Sequence, residues 1–407
     1  MGKEKNNKKK KWRRLRHKLI RPLLWLALAP YTYVKYGVHV QRFRPEKREP
    51  YLILLNHQTA FDQFFVGMSF RDPVYYLASE DLFSNGWVSS LIRYLVAPIP
   101  IKKQTIDLKA IMTCIRVAKE GGTIAIAPEG NRTYSGRTEY MGEAIAAFAR
   151  KLGMPIALYR IEGGYGVHPR WSDVVRKGKM RAYVSRVITP EEYAKLSDDE
   201  LFTIIREGLY VNEAVDSFVY RHKKRAEYIE RALYVCPFCG LSTIESHGEA
   251  FTCCKCGRKV IYHENTTLEG VGFDLPYRFV AQWYDAQADF INGLDVRTYD
   301  TMPMYRERVA VSEVIPYERK KPLYEGVELA LYGTRMEIKT DADVLLLPFE
   351  EVSTVTVLGR NKLNVYHADK IYQIKGDKRF NALKYVHIYH RYKNITKGNE
   401  DGKFLGL

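Results

Sequence analysis

The N-terminal half of the chain alternates short apolar runs with segments of helical periodicity. Residues 51–55, 123–127 and 154–159 are apolar runs of the length of buried strands. Residues 108–118 place apolar side chains on one helix face, and Asp107 before them is a residue type that caps helix N-termini. Chains that alternate strands and helices form sheets covered by helices. We therefore predict an α/β fold with a mixed sheet flanked by helices.

The pattern changes near residue 322, where short strands separated by turn residues replace the alternation of strands and helices. Six such strands followed by one helix resemble the small β-barrels of the pleckstrin-homology and GRAM type, in which a helix caps the barrel. The resemblance implies a lipid head group or a protein as ligand, and a purely scaffolding barrel is the alternative. The predicted strands span 327–331, 335–339, 344–348, 352–357, 362–366 and 370–374, and the helix spans 380–392.

A polar block, Asn56 to Asp62, follows the first buried strand directly. Open α/β sheets bind their ligands at the carboxyl ends of strands. His57 exchanges a proton near neutral pH, and Asp62 lies close enough in sequence to hydrogen-bond its ring and fix the tautomer. A base oriented in this way activates hydroxyl groups. A surface turn that carries an ordinary histidine is the alternative interpretation.

A second block, PEGNRT at residues 128–133, follows the strand predicted at 123–127. Proline ends the strand, glycine permits a tight turn, and Arg132 has the planar fork that suits a phosphate. The NHxxxxD block and this block, in this order, resemble the glycerolipid acyltransferase family of the lysophosphatidic acid acyltransferase type. The resemblance covers about residues 20–210. Asn131 stands where the family usually has threonine, which bears on the choice of acceptor.

The resemblance implies a reaction and a role for each matching residue. His57 is the expected general base, oriented by Asp62, and the acyl chain comes from acyl-CoA or an acyl-carrier protein. The acceptor is the sn-2 hydroxyl of lysophosphatidic acid, so the product is phosphatidic acid, a step of phospholipid biosynthesis. A different lysolipid or glycolipid acceptor, or a catalytically vestigial membrane adaptor, are the alternatives. The residues implied to bind the acceptor's phosphate are Glu129, Gly130, Arg132 and Lys103, with Lys102 as an alternative to Lys103.

The N-terminus is strongly basic between residues 3 and 18, and the whole chain has a formal net charge of +17. An uncharged run at residues 22–34 follows, shorter than the roughly 20 apolar residues that cross a bilayer. These features predict a peripheral or monotopic anchor on an anionic membrane, at the cytoplasmic face of the cell membrane. A core helix with a solvated basic tail is the alternative. No RNA-binding motif accompanies the charge, so a nucleic-acid partner is not expected.

Four of the six cysteines form two CxxC pairs, Cys236 with Cys239 and Cys253 with Cys256. Two such turns can bring four thiolates to one ion, the ligand set of a structural zinc ribbon. We therefore predict a structural Zn²⁺, with a redox function of the CxxC pairs as the alternative. Two cysteines remain: Cys254 is the spare thiol beside the second pair, and Cys114 lies within a helical pattern and is predicted to be a core residue.

These patterns predict a modular chain. The predicted segments are a membrane-anchoring segment at 1–45, an acyltransferase domain at 46–232, a zinc ribbon at 233–264, a connector at 265–318, a pleckstrin-homology-like or GRAM-like β domain at 319–395 and a tail at 396–407.

Overall fold

A computed structural model of the protein describes residues 11–101, 107–215, 218–315, 318–340, 343–399 and residue 402. The first half of the chain forms a seven-stranded sheet with helices around it. Its strands are β1 Val38–Val40, β2 Leu52–Leu55, β3 Val74–Ser79, β4 Ile99–Ile101, β5 Thr123–Ile126, β6 Ile156–Glu162 and β7 Met180–Ile188. Its helices are α1 Leu15–Tyr36, α2 Asp62–Ser69, α3 Trp87–Val96, α4 Leu108–Lys119, α5 Ala144–Leu152, α6 Gly164–Val167, α7 Pro190–Tyr193 and α8 Asp198–Leu209.

The strand order of this sheet is β1-β7-β6-β2-β5-β3-β4. Neighbours from β6 to β4 pair in parallel, whereas β7 pairs antiparallel with β6 and parallel with β1. All four residues of β2 are buried. A parallel strand covered on both faces must be apolar on both, which is why its sequence is a continuous apolar run. The predicted mixed sheet flanked by helices is confirmed.

Local signals in the sequence fix several helix ends. The Asp107 side chain accepts a hydrogen bond from the backbone of Ala110 at 3.0 Å and caps α4. Ser197 and Glu200 form a reciprocal capping box at the start of α8. Gly153 ends α5 with a φ of 64°, a conformation that glycine adopts without steric cost. In the part of the chain that the structure describes, no helix combines the length and hydrophobicity needed to span a bilayer.

The cysteine-rich segment is built from short strands, and one long helix follows it. A two-stranded hairpin precedes a four-stranded antiparallel sheet. The elements are β8 Val235–Cys236, β9 Gly240–Leu241, β10 Ile244–His247, β11 Ala250–Cys253, β12 Lys259–Tyr262, β13 Leu268–Gly270 and α9 Val280–Asn292.

The C-terminal third forms a second seven-stranded sheet, fully antiparallel and followed by a helix. The sheet is curled into a half-barrel, and its likeness to the pleckstrin-homology or GRAM type stays a prediction. The elements are β14 Tyr305–Glu313, β15 Lys321–Leu331, β16 Arg335–Lys339, β17 Val344–Pro348, β18 Val352–Leu358, β19 Lys362–His367, β20 Lys370–Lys375 and α10 Leu383–Thr396.

All six strands predicted here are present, and the sheet contains one more. Strand β14 falls in the segment predicted as a connector, yet it lies inside the sheet between β15 and β20. The half-barrel therefore begins at Tyr305, ahead of the boundary predicted at residue 319. The first residues of β14 are charged and only partly buried, so its sequence gives a weak strand signal.

A common hydrophobic core joins the cysteine-rich segment, α9 and the half-barrel. Tyr134, Tyr165 and Trp171 of the first half of the chain belong to the same core. The guanidinium of buried Arg231 contacts the Trp171 carbonyl at 2.9 Å and the Lys378 carbonyl at 2.6 Å. The first half of the chain, the cysteine-rich segment and the half-barrel therefore pack against one another.

Candidate active site

The two polar blocks lie at the same edge of the first sheet. Residues 56–62 follow β2 and residues 127–133 follow β5, and these two strands are parallel neighbours. The backbone N–H of Thr133 donates to the carbonyl of His57 at 3.3 Å, so the two loops touch. The carboxyl ends of parallel strands form the ligand crevice of open α/β sheets. The sheet therefore brings the predicted base and the predicted phosphate-binding turn together.

His57 and Asp62 form a hydrogen-bonded pair, with 2.7 Å between the imidazole Nδ1 and the carboxylate Oδ2. The Asp62 side chain is 1% exposed, whereas that of His57 is 28% exposed. The Asp62 carboxylate also accepts hydrogen bonds from the backbone of Gln58 and from the backbone and hydroxyl of Thr59, at 2.7–2.9 Å. A carboxylate held by four donors fixes the proton of His57 on Nδ1. Nε2 is then the ring atom that can act as a base.

Asn56 anchors this loop to the adjacent strand. Its amide nitrogen donates to the Ile161 carbonyl at 2.8 Å, and its oxygen accepts from the Ile161 N–H at 2.7 Å. The side chain thereby completes a backbone-like pair with β6. Its polar atoms make these structural contacts, so we assign Asn56 to the support of the loop.

Glu129 connects the loops through its carboxylate. One oxygen accepts from the backbone N–H of His57 at 2.8 Å and the other from that of Glu139 at 2.7 Å. Glu129 is 3% exposed, and burial raises its pKa to about 8 against the opposing effect of these amides. Both oxygens thus bond within the protein, and a carboxylate does not attract a phosphate. These bonds favour a positioning role for Glu129, and its phosphate contact stays a prediction.

Gly130 forms the turn between Glu129 and Arg132. Its φ is 67°, a left-handed conformation that strains other residues, and its N–H donates to the Ala127 carbonyl at 3.0 Å. The N–H of Gly130 thus already has a partner within the protein. The predicted phosphate contact of Gly130 stays a prediction. Lys103, with Lys102 beside it, lies outside the described residues.

Arg132 is the predicted phosphate ligand whose surroundings fit an anion. Its Nη1 is buried, and no group in the described part of the chain accepts a hydrogen bond from it. Burial, followed by the nearby Arg170 and Arg360, lowers the pKa of Arg132 to about 10, and Asp62 acts in the opposite direction. The guanidinium therefore stays charged at neutral pH and lies within the electrostatic reach of the dyad.

Sequence reasoning missed three residues around Arg132, namely His168, Arg170 and Arg360. Arg170 donates to the Arg132 carbonyl at 3.0 Å, and its guanidinium lies 4.4 Å from the centroid of the Tyr134 ring. Arg360 contacts Nε2 of His168 at 2.7 Å. All three follow the matched blocks in the chain, outside any motif, so no signal in the sequence marked them.

A cleft of about 220 Å³ lies beside the same loops. Its walls are mostly polar and do not include His57 or Asp62. The cleft is lined by Ser135, Arg137, Thr138, Glu139, Tyr210, Tyr284 and Asp285.

The four cysteines of the CxxC pairs converge at a separate site. Their sulfur atoms all lie within 4.8 Å of one another. The Sγ atoms of Cys236 and Cys256 are 3.8 Å apart, and those of Cys239 and Cys253 are 3.5 Å apart. Zn–S bonds of about 2.3 Å in a tetrahedron place sulfur atoms about 3.8 Å apart, so the thiols fit a zinc ion.

Cys114 is fully buried in α4, and burial raises its pKa to about 12, which disfavours the nucleophilic thiolate.

Comparisons with known proteins converge on the segment that carries this dyad. Residues 36–160 match the family described as Acyltransferase. The 1-acyl-sn-glycerol-3-phosphate acyltransferase of Bacillus subtilis (strain 168) is 24% identical over 160 residues, which are 39% of this chain and 77% of that protein. The chloroplastic 1-acyl-sn-glycerol-3-phosphate acyltransferases BAT2 of Brassica napus and LPAT1 of Arabidopsis thaliana are each 22% identical.

The plant matches cover 46% and 40% of this chain, and the chain spans only about half of those proteins, 55% and 47% of their lengths. The crystal structure of the 1-acyl-sn-glycerophosphate (LPA) acyltransferase PlsC from Thermotoga maritima aligns with a TM-score of 0.39 and 21% identity. That alignment covers 47% of this chain and 76% of that chain. The family match and the sequence relatives support the glycerolipid acyltransferase family for the segment that contains His57, Asp62 and Arg132.

Proposed function

We propose that the protein transfers an acyl chain from acyl-CoA or an acyl-carrier protein to the sn-2 hydroxyl of lysophosphatidic acid, giving phosphatidic acid. The observation that carries the proposal is the 2.7 Å bond between His57 and Asp62 at the sheet edge that also presents Arg132. The family match and the activity named for the sequence relatives support the reaction class.

In this reaction Nε2 of His57 takes the proton of the acceptor hydroxyl. The oxygen attacks the thioester carbonyl carbon, so a C–O bond forms while the C–S bond breaks. The thiolate of the donor leaves and takes the proton from the imidazolium, which regenerates neutral His57. Asp62 stabilises that imidazolium, because its carboxylate lies at Nδ1 throughout. A thioester is already activated, so the transfer needs no covalent enzyme intermediate.

Arg132 binds the acceptor's phosphate in this proposal. Its guanidinium is buried, and Nη1 lacks an acceptor among the described groups. A buried charged donor without an acceptor destabilises the fold unless a bound anion accepts its hydrogen bond. Asn131 stands where the acyltransferase family usually has threonine, which bears on the choice of acceptor, and its side-chain oxygen accepts from Nη2 of Arg170 at 3.4 Å. Another lysolipid or a glycolipid is therefore the second candidate.

A defined assay tests the reaction. The purified full chain is incubated with acyl-CoA or acyl-carrier protein and one of several lysolipids, and released thiol and acylated product are measured together. We expect phosphatidic acid to form with the wild type and to fall to background in His57→Ala. His39→Ala, which changes an exposed histidine of β1 in the same sheet, should retain activity. Full turnover by His57→Ala would exclude this base, and the absence of product with every acceptor would support the catalytically vestigial adaptor.

We also propose that α1 and α3 bind the membrane surface. Leu15, Leu19, Leu23 and Leu26 recur at helical spacing on α1 and are 64–75% exposed. Trp87 on α3 is 76% exposed, and α1 and α3 contact each other. An exposed apolar stripe beside basic residues matches a helix that lies in the interface of an anionic bilayer.

Vesicle sedimentation tests this surface. Wild-type protein should bind vesicles that contain anionic phospholipid, and Leu19→Glu with Leu23→Glu should weaken binding at least tenfold. Leu346→Glu, which alters an exposed leucine of the half-barrel, should bind as the wild type does. Equal binding by all variants would refute the assignment of α1.

For the cysteine site we propose one structural Zn²⁺ held by Cys236, Cys239, Cys253 and Cys256. Four thiolates close the coordination shell, so the ion would stabilise the fold and not catalyse. Elemental analysis should find about one zinc per chain in the wild type and in Cys254→Ser, which removes the exposed spare thiol. Cys253→Ser should lose the metal and unfold at a lower temperature. Zinc-free wild-type protein of unchanged stability would exclude the site.

A lipid-head or protein ligand of the half-barrel stays a prediction.

A further inference from the structure

The half-barrel reaches the candidate active site through one hairpin. The turn between β18 and β19 contains Arg360, and the carbonyl of Val357 at the end of β18 lies 3.4 Å from Nη2 of Arg170. Arg170 in turn donates to the Arg132 carbonyl at 3.0 Å. A segment far along the chain from the matched blocks therefore packs against the predicted phosphate-binding turn.

Arg360 is held in place by two polar partners. Its Nη1 donates to Asp173 at 3.0 Å and its Nη2 to Nε2 of His168 at 2.7 Å. Because a guanidinium only donates, Nε2 of His168 accepts, and the ring proton on Nδ1 points to the Tyr36 hydroxyl at 3.2 Å. Burial and the adjacent Arg360 lower the pKa of His168 to about 3, so the ring is neutral. Two of the five N–H groups of Arg360 are used in these bonds.

Charged groups of both signs meet around this turn, where Asp62 acts on Arg132 and the buried Glu139 acts on Arg170. Asp173 serves both Arg360 and the buried Arg231, which donates to its two oxygens at 2.7 and 3.3 Å. Asp62 is already held by four donors, and Nη1 of Arg132 has no acceptor in the described part of the chain. A buried guanidinium nitrogen without an acceptor, such as Nη1 of Arg132, is stabilised by an anion with several oxygens, and Arg360, whose side chain is 31% exposed, has further N–H groups to offer such an anion.

We propose that Arg360 joins Arg132 and Arg170 in binding the phosphate monoester of the acceptor, so that the half-barrel supplies part of the acceptor site. The inference rests on the proposed function and makes it more specific. Three guanidinium groups favour a dianionic phosphate monoester over a phosphodiester or an uncharged glycerolipid, because each can bond to an unesterified oxygen. Arg360 is then a specificity-determining residue and not a catalytic one.

The competing explanation is that Arg360 only attaches the half-barrel to the first half of the chain. The two explanations differ in which kinetic constant changes. Loss of a phosphate ligand weakens binding of the charged acceptor and leaves the donor unaffected. Loss of an attachment lowers stability and reduces turnover of every acceptor alike.

The test uses the full chain with Arg360→Gln and Arg360→Lys, and with Arg308→Gln as the matched control. Arg308 is an exposed arginine of β14 in the same half-barrel. KM is measured for lysophosphatidic acid, a lysophosphodiester, an uncharged monoacylglycerol and the acyl donor. We expect Arg360→Gln to raise KM for lysophosphatidic acid about tenfold to hundredfold, as for one lost charge-assisted hydrogen bond. The lysine variant should be intermediate, and KM for the donor and the monoacylglycerol should not change.

Direct binding of lysophosphatidic acid in detergent micelles separates this inference from the proposed reaction. Binding weakened by Arg360→Gln but not by Arg308→Gln supports the site even if no acyl transfer is found, in which case only the reaction is refuted. Transfer with an unchanged KM in Arg360→Gln refutes the role of Arg360 and leaves the reaction standing. An equal loss of kcat for all acceptors with a lower unfolding temperature also refutes it, in favour of a structural role.

Discussion

The contact that most directly couples the two loops of the site is the carboxylate of Glu129. Replacement by glutamine keeps the size of the side chain and removes one acceptor oxygen. The carboxylate accepts from the backbone N–H groups of His57 and Glu139, whereas an amide has one oxygen and one NH₂ group. One buried backbone N–H must then face another donor. Glu129→Gln should therefore loosen the loop that presents the imidazole.

The size of the effect follows from these two bonds. A buried donor left without an acceptor costs about 1–3 kcal/mol, so the free energy of unfolding should fall by that amount. His57 would also lose the restraint on its backbone. Because a small misplacement of a catalytic group is costly, we expect kcat to fall about tenfold to hundredfold. KM for lysophosphatidic acid should change by less than about threefold, since the phosphate contacts remain.

Steady-state kinetics and denaturant unfolding on the same preparations, at a pH above about 8 where Glu129 is ionised, measure both quantities. Glu143→Gln is the matched control, because Glu143 is exposed and its side chain makes no capping hydrogen bond. It should match the wild type in kcat, KM and stability. A tenfold rise in KM for lysophosphatidic acid in Glu129→Gln, with kcat and stability unchanged, would refute the positioning role. That result would instead favour the phosphate contact implied by the family resemblance.

Three further changes test other parts of the fold. Asp62→Asn should lower kcat about 10³-fold or more with little change in KM, because an amide no longer fixes the proton of His57 on Nδ1; turnover near the wild-type level would exclude the dyad. Burial lowers the pKa of His387 to about 3, so this histidine takes up a proton only on unfolding, and acid favours the unfolded state. From pH 6 to pH 4 the wild type should therefore lose up to about 1.4 kcal/mol per pH unit relative to His387→Gln, and parallel stability curves would contradict this. Trp171→Ala should cost about 3–5 kcal/mol of unfolding free energy, because Trp171 is fully buried in the shared core, and a loss below about 1 kcal/mol would show that this core is not continuous.

The amino-acid sequence by itself determined the features whose causes are local. Buried strands such as β2 are apolar at every position because both faces are covered, so their runs are visible without a structure. The cap of α4 by Asp107 and the capping box of α8 depend on neighbours within three residues. The pairing of His57 with Asp62 was predictable for the same reason, since both residues lie in one loop.

Only the tertiary structure decided the surroundings of that pair. The partners of Glu129 are backbone N–H groups of two separate loops, and a sequence does not show which amides a carboxylate meets. Strand β14 joins the half-barrel through pairing with β15 and β20, which offsets its weak local signal. Arg360 lowers the pKa of Arg132 because a shared core packs the half-barrel against the first half of the chain. Such contacts depend on the summed burial of many distant side chains, so no motif or periodicity along the chain could specify them.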